Sequence, residues 1–188
     1  MGLVLINMAI EMFNSQYLAR VVRESGEVAF WLLAFTLFCT PLNKFLKTNR
    51  YKKTRKSLGV YSFLFCTLHV AAFFISKDWE LSRIFNQIQF DYCLVAGFVA
   101  FILMAALALT SNKFSIRKLG RNWKKLHKSV YVIVLLSTAH VLFLDNRFQD
   151  ENLIYALLFG VLLLTRVSAM KKALEKRKQN HSPVFNSK

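Results

Sequence analysis

The chain has 188 residues, 55% of them hydrophobic and 14% aromatic, with a mean hydropathy of +0.34. That is too apolar for an ordinary soluble domain of this size, and several apolar runs approach the roughly 20 residues that cross a bilayer. The formal charge of +16, from 26 basic and 10 acidic residues, would suit nucleic-acid binding. The basic residues fall between apolar runs at every second junction, which argues against that class.

Residues Met1–Phe13 are apolar but short and interrupted by Glu11, so they form a partial span or an interfacial helix. Residues Asn14–Glu27 are polar and are expected to form an outer loop. The first full span runs from about Val28 to Leu42, with Pro41 tolerable near its end. The following segment, KFLKTNRYKKTRK, holds seven basic residues and no acid. The second span is Leu58–Ser76. A loop of mixed charge, Lys77–Phe90, follows, with Trp79 expected at the membrane interface. The third span is about Tyr92–Thr110, followed by NKFSIRKLGRNWKKLHK, again with seven basic residues and no acid. The fourth span is Ser129–Leu144, the fifth Asn152–Thr165, and a basic tail closes the chain.

The expected fold is an all-α, polytopic transmembrane helix bundle of five spans plus a short or partial N-terminal apolar helix. Its parts are an N-terminal helix and outer loop over 1–25, a membrane domain over 26–168 and a basic tail over 169–188. Loops after spans one, three and five hold 21 of the 26 basic residues, and loops on the other face hold 8 of the 10 acids. Basic residues in short loops mark the cytoplasmic face, so the C-terminus is expected there. If Met1–Phe13 crosses as well, there are six spans. No internal repeat at a fixed period stands out, and no signal peptide is evident. Cys39, Cys66 and Cys93 lack CxxC spacing and read as buried apolar thiols.

Two of the four histidines lie inside apolar runs. An imidazole among hydrocarbon-facing residues is costly unless something uses it. Both the second and fourth spans run from inside to outside. His69 lies 8 residues before Lys77 and His140 lies 5 before Asp145, so both fall in the outer half of the bilayer. Two imidazoles at matched depth on different helices suit the two axial positions of a haem iron. Small neighbours (Ala71 and Ala72; Ser137, Thr138 and Ala139) would make room for a macrocycle. No acid lies near them for a proton relay, and carboxylate or thiolate ligands for a di-iron or zinc site are missing at that depth. His127 lies 13 residues before His140, about 20 Å lower on a continuous helix. Arg55, 14 residues before His69, is the residue at matching depth on the second span. His127 could serve a second haem with a non-histidine partner, bind an anionic cofactor group, or be an interfacial histidine.

The stretches RKSLGVYSFLFCTLHV and ALTSNKFSIRKLGRNWKKLHKSVYVIVLLSTAHVLF resemble the two histidine-bearing segments of the ferric-reductase-like transmembrane superfamily. The composite of LTS, then RKLG-x-x-W-x-x-LH, then VY and a further His is similar to the haem-binding membrane subunits of periplasmic methionine sulfoxide reductase systems. GEVAFWLLAFTLFCTPLNKF also resembles that group's span ending in Thr-Pro. The resemblance implies a cytochrome b-type protein of the bacterial inner membrane, holding one or two haem b groups and associated with FMN. Electrons would come from a cytoplasmic flavin reductase or the quinone pool and pass to a periplasmic molybdenum-cofactor reductase that repairs oxidised methionine. His69 and His140 match the outer ligands, His127 a third histidine, and Arg55 a basic residue near an inner haem.

The chain carries no nucleotide-binding fingerprint, so it reads as an electron-transfer subunit and not a self-contained catalyst. The competing readings are a stand-alone ferric or other metal reductase with a different acceptor, and a non-redox membrane protein with structural histidines.

Overall fold

The computed structural model describes residues 2–47, 50–143 and 160 of the chain. The expected fifth span, the acidic loop before it, the basic tail and His181 lie outside the described residues. The described elements are all helical: α1 (Gly2–Phe45), α2 (Tyr51–Ser76), α3 (Leu81–Phe90), α4 (Tyr92–Leu109), α5 (Lys113–Leu119), α6 (Arg121–Leu126), a 3-10 turn (His127–Ser129) and α7 (Val130–Phe143).

Four of these stretches are long and apolar enough to cross a membrane: Asn14–Asn43, Lys53–Ser76, Tyr92–Leu109 and Arg121–Phe143. They match the first four expected spans, each allowed to begin earlier than hydropathy alone suggests, apart from the third, which starts where expected.

The N-terminal region differs from the expectation. Residues Asn14–Glu27 form no loop, because α1 continues through them without a break for 44 residues. Arg20 and Glu24, and Arg23 and Glu27, are spaced four apart, which sets opposite charges on one helical face. Arg and Glu are also good helix formers. The other face is buried at Ser25, whose hydroxyl donates back to the Val21 and Val22 carbonyls. A half-polar helix has the composition of a loop, and only its periodicity tells them apart. With no turn between Phe13 and Val28, Gly2–Phe13 is the N-terminal part of α1 and not a separate antiparallel span.

Helix α2 begins within the basic segment, so the reversal from α1 is short. The Tyr51 N–H donates to the Asn43 side-chain carbonyl across that turn at 3.2 Å. The expected loop Lys77–Phe90 contains α3, whose apolar residues Leu81, Ile84, Phe85 and Ile88 follow helical spacing. Ile84 is buried and packs α3 towards α4, while Leu81 and Phe85 stay exposed. Asp91 then caps α4, accepting from the Cys93 and Leu94 N–H groups.

In the bundle α1 lies along α2, α4 lies along α7, and α2 meets α4. Phe30, Leu33, Ala34 and Leu37 of α1 form one core with Ala100 and Met104 of α4 and Val130, Ile133 and Val134 of α7. The buried Ser62 hydroxyl of α2 donates to the Ala29 carbonyl of α1 at 2.7 Å, so the polar atom is satisfied across the helix pair. Large apolar side chains such as Phe35, Phe38, Leu64, Leu68, Ile102 and Leu135 point outward. In water such a surface would aggregate; against lipid tails it carries no cost.

Candidate functional site

His69 on α2 and His140 on α7 come together inside the bundle. Their ring centres are 6.3 Å apart and their planes are nearly perpendicular, at 87°. Each ring is fixed by a backbone carbonyl of the helix beside it. His69 Nδ1 lies 2.7 Å from the Val22 carbonyl of α1. His140 Nδ1 lies 2.8 Å from the Cys93 carbonyl of α4. A carbonyl only accepts, so each Nδ1 carries the proton and donates. That leaves Nε2 unprotonated on both rings, with a lone pair and no hydrogen-bond partner among the described residues. A metal-binding histidine is typically held in this way, its second nitrogen donating to a carbonyl that fixes the tautomer and the ring orientation.

The glycines beside the rings make this approach feasible. A Cβ on Gly26 would stand 2.9 Å from His69 Nδ1, and a Cβ on Gly97 would stand 2.9 Å from His140 Nδ1. Real side chains do not occupy such distances, so each ring fits only because its neighbouring helix has bare backbone there. The Cys93 thiol donates to the His140 carbonyl at 2.9 Å and further ties α4 to α7.

Both rings line a cavity of about 1120 Å³ between α1, α2, α4 and α7. That slightly exceeds the upper end of the roughly 300–1,000 Å³ usual for cofactor and ligand sites. Its walls are apolar for most of their extent, with Phe30, Leu33, Phe73, Phe98 and Met104. Arg23, Glu27, Lys77 and Asp78 are the charged residues among its lining. Of the small residues expected to make room beside the histidines, Ser137 lines this cavity and Ala72 is buried. Gly26 and Gly97 on the neighbouring helices also line it. Among the described residues no three His, Cys, Asp or Glu side chains gather around one point, so the donor set on offer is the pair of imidazoles. All three cysteines are free thiols.

His127 lies apart from the pair, at the other end of the bundle. Its Nδ1 is 3.2 Å from the Trp123 carbonyl and its Nε2 is 3.4 Å from the Ser111 hydroxyl, so both nitrogens are engaged. The ring stacks on Trp123 at 4.0 Å between centres. Trp123 in turn donates to the Thr110 carbonyl at the end of α4. Gly120, at φ +50°, allows the sharp break between α5 and α6 that brings Trp123 under that end. The LG-x-x-W-x-x-LH segment is therefore a clasp between α4 and α7. Arg55 donates to the Thr40 hydroxyl of α1 at 3.2 Å, and its charge acts on the His127 ring without a hydrogen bond joining them.

Residues 25–138 match a family described as the ferric reductase like transmembrane component. The chain is 33% identical over 150 residues to the protein-methionine-sulfoxide reductase heme-binding subunit MsrQ of Cronobacter sakazakii, a match covering 79% of this chain and 75% of that protein. No solved structure matches. With more than half of its length matched, from just before Gly26 to just before His140, the chain belongs to the ferric reductase-like transmembrane family.

Proposed function

We propose that the chain is a membrane b-type haem protein in which His69 and His140 are the two axial ligands. The observation that carries this reading is the pair of rings 6.3 Å apart with both Nδ1 atoms bonded to carbonyls. Two imidazoles sharing one metal through bonds of about 2 Å have ring centres roughly 6 Å apart. The apolar walls of the cavity suit a porphyrin, and Arg23 and Lys77 in its lining offer positive charge to carboxylates. A haem bound there supplies one-electron chemistry between ferric and ferrous iron. Held by both imidazoles, a haem there would serve electron transfer and not oxygen activation. Donation from each Nδ1–H makes its ring a stronger base towards the metal. The apolar walls exclude water and keep the local dielectric low.

In this reading the protein lies in a bacterial inner membrane with the basic segments and C-terminus in the cytoplasm. It takes electrons from a cytoplasmic flavin reductase or from quinone and delivers them to a periplasmic molybdopterin-containing methionine sulfoxide reductase. The name of the Cronobacter relative supports the haem and the methionine sulfoxide system. The basic face around Lys113–Lys128 would draw an acidic donor or the phosphate of FMN. His127 and Arg55 lie on that side, and a second cofactor would take His127 only by displacing its Ser111 contact.

The test is the visible spectrum of the detergent-purified protein before and after dithionite, with pyridine-haemochrome quantification per chain. A Soret band and sharp α and β bands are expected. A colourless protein from haem-replete cells would overturn the reading. Oxidation of the reduced protein by a periplasmic sulfoxide reductase, and not by ferric chelates, separates the proposed role from that of a stand-alone metal reductase.

A further inference from the structure

The two histidine sites are copies of each other. Val22 and His69 are 47 residues apart, and so are Cys93 and His140. Gly26 precedes His69 by 43 residues, and Gly97 precedes His140 by 43. In each case the accepting carbonyl lies four residues before the glycine. The sequence expectation of no internal repeat is thereby corrected: the two halves are offset by 71 residues. Gly-x-Val-Ala-Phe-x-Leu-x-Ala stands at 26–34 and again at 97–105. Leu-x-x-Thr-x-His-Val stands at 64–70 and again at 135–141. Burial follows the same offset, since Ala29 and Ala100, Leu33 and Met104, and Ser62 and Ile133 are all buried.

The helix pair is repeated, and we infer that Gly26 and Gly97 are positioning residues that set the two imidazoles. In a helix every Cα–Cβ bond tilts towards the N-terminus. A side chain at 26 would therefore project towards the Val22 carbonyl, and one at 97 towards the Cys93 carbonyl. Without a Cβ, each carbonyl accepts the ring N–H from the neighbouring helix in addition to its helical partner. The glycine thus fixes three things at once: the ring's distance from the backbone, its tautomer, and the direction of the free nitrogen. Glycine is a weaker helix former than alanine, and it recurs at both equivalent sites. The same helix pair used twice gives two facing half-sites, each contributing one imidazole. This inference rests on the haem reading given above.

The test is Gly26→Ala and Gly97→Ala in the full-length holoprotein, with Gly59→Ala as control. A Cβ at 59 would meet only Thr36, at 3.8 Å, which is ordinary contact. Both site variants are expected to hold haem about tenfold less tightly, the lower range for loss of an outer-shell partner. In the haem that stays bound, the low-spin EPR signal gives way to a high-spin one and the midpoint potential shifts. The control keeps the wild-type signal and potential. If both site variants keep them too, the positioning role is wrong. If either fails to accumulate, pulsed EPR of the unaltered holoprotein reads the remote ring nitrogens directly. Two protonated, hydrogen-bonded nitrogens are expected, and an unbonded one overturns the proposal. A wild-type protein with no Soret band would instead defeat the haem reading itself, so the two failures are distinct.

Discussion

The two ends of the bundle use histidine in opposite ways. At one end His69 and His140 each spend one ring nitrogen on a carbonyl and keep the other free, beside a large apolar cavity. At the other end His127 spends both nitrogens on its own chain and stacks on Trp123. His69 and His140 lie in apolar helices and His127 in the 3-10 turn that leads into α7, yet all three rings are partly buried, so burial alone does not separate a ligand from a structural residue. The count of free nitrogens does.

The largest expected effect tests the first end. His69→Ala or His140→Ala should abolish the low-spin haem signal, because one imidazole alone leaves an open axial position. Optical and EPR spectra at equal protein concentration decide this, and wild-type spectra from both variants would show the ligands to be wrong. Next in size is Trp123→Ala at the opposite end. It removes one hydrogen bond and one ring stack, about 1–2 kcal/mol together. The thermal midpoint should fall by several degrees while the low-spin spectrum is unchanged; a lost spectrum with intact stability would mean that the clasp shapes the haem site. Gly120→Ala forces a side chain into a left-handed backbone, with a penalty of about 1–3 kcal/mol. That too should lower only the midpoint, followed by circular dichroism in detergent. The smallest effect is expected from Ser111→Ala, which frees His127 Nε2 from its weak 3.4 Å contact. Stability and the low-spin spectrum should hold within error. A new haem per chain in this variant, measured by pyridine haemochrome, would show His127 to be a ligand held in reserve.

The membrane class, the first four spans and the histidine pair were legible in the residues. Hydropathy marks the spans, and the positive-inside count puts His69 and His140 at one depth. Other features were not. The polar run Asn14–Glu27 resembles a loop in composition, and it becomes a helix face only when its four-residue charge spacing is read. Helix α3 was hidden for the same reason, since half of a short amphipathic helix is polar. The duplication escaped because its identities are sparse and two of its key partners, at Val22 and Cys93, act through backbone carbonyls that no side chain reveals. Gly26 and Gly97 are uninformative alone and acquire meaning only from the 43-residue gap that each keeps to its histidine.

The perpendicular setting of the two rings has a consequence for magnetism. The planes stand at 87°, each ring held by a carbonyl of a different helix. An iron between them would meet the π system of one imidazole along one in-plane axis and that of the other along the second. Neither axis is then preferred, and the two d orbitals that point along them stay nearly equal in energy. Low-spin ferric iron in that setting is strongly anisotropic, with its largest g value well above that given by parallel rings, so the angle between α1-bound and α4-bound imidazoles is written into a single frozen-solution spectrum.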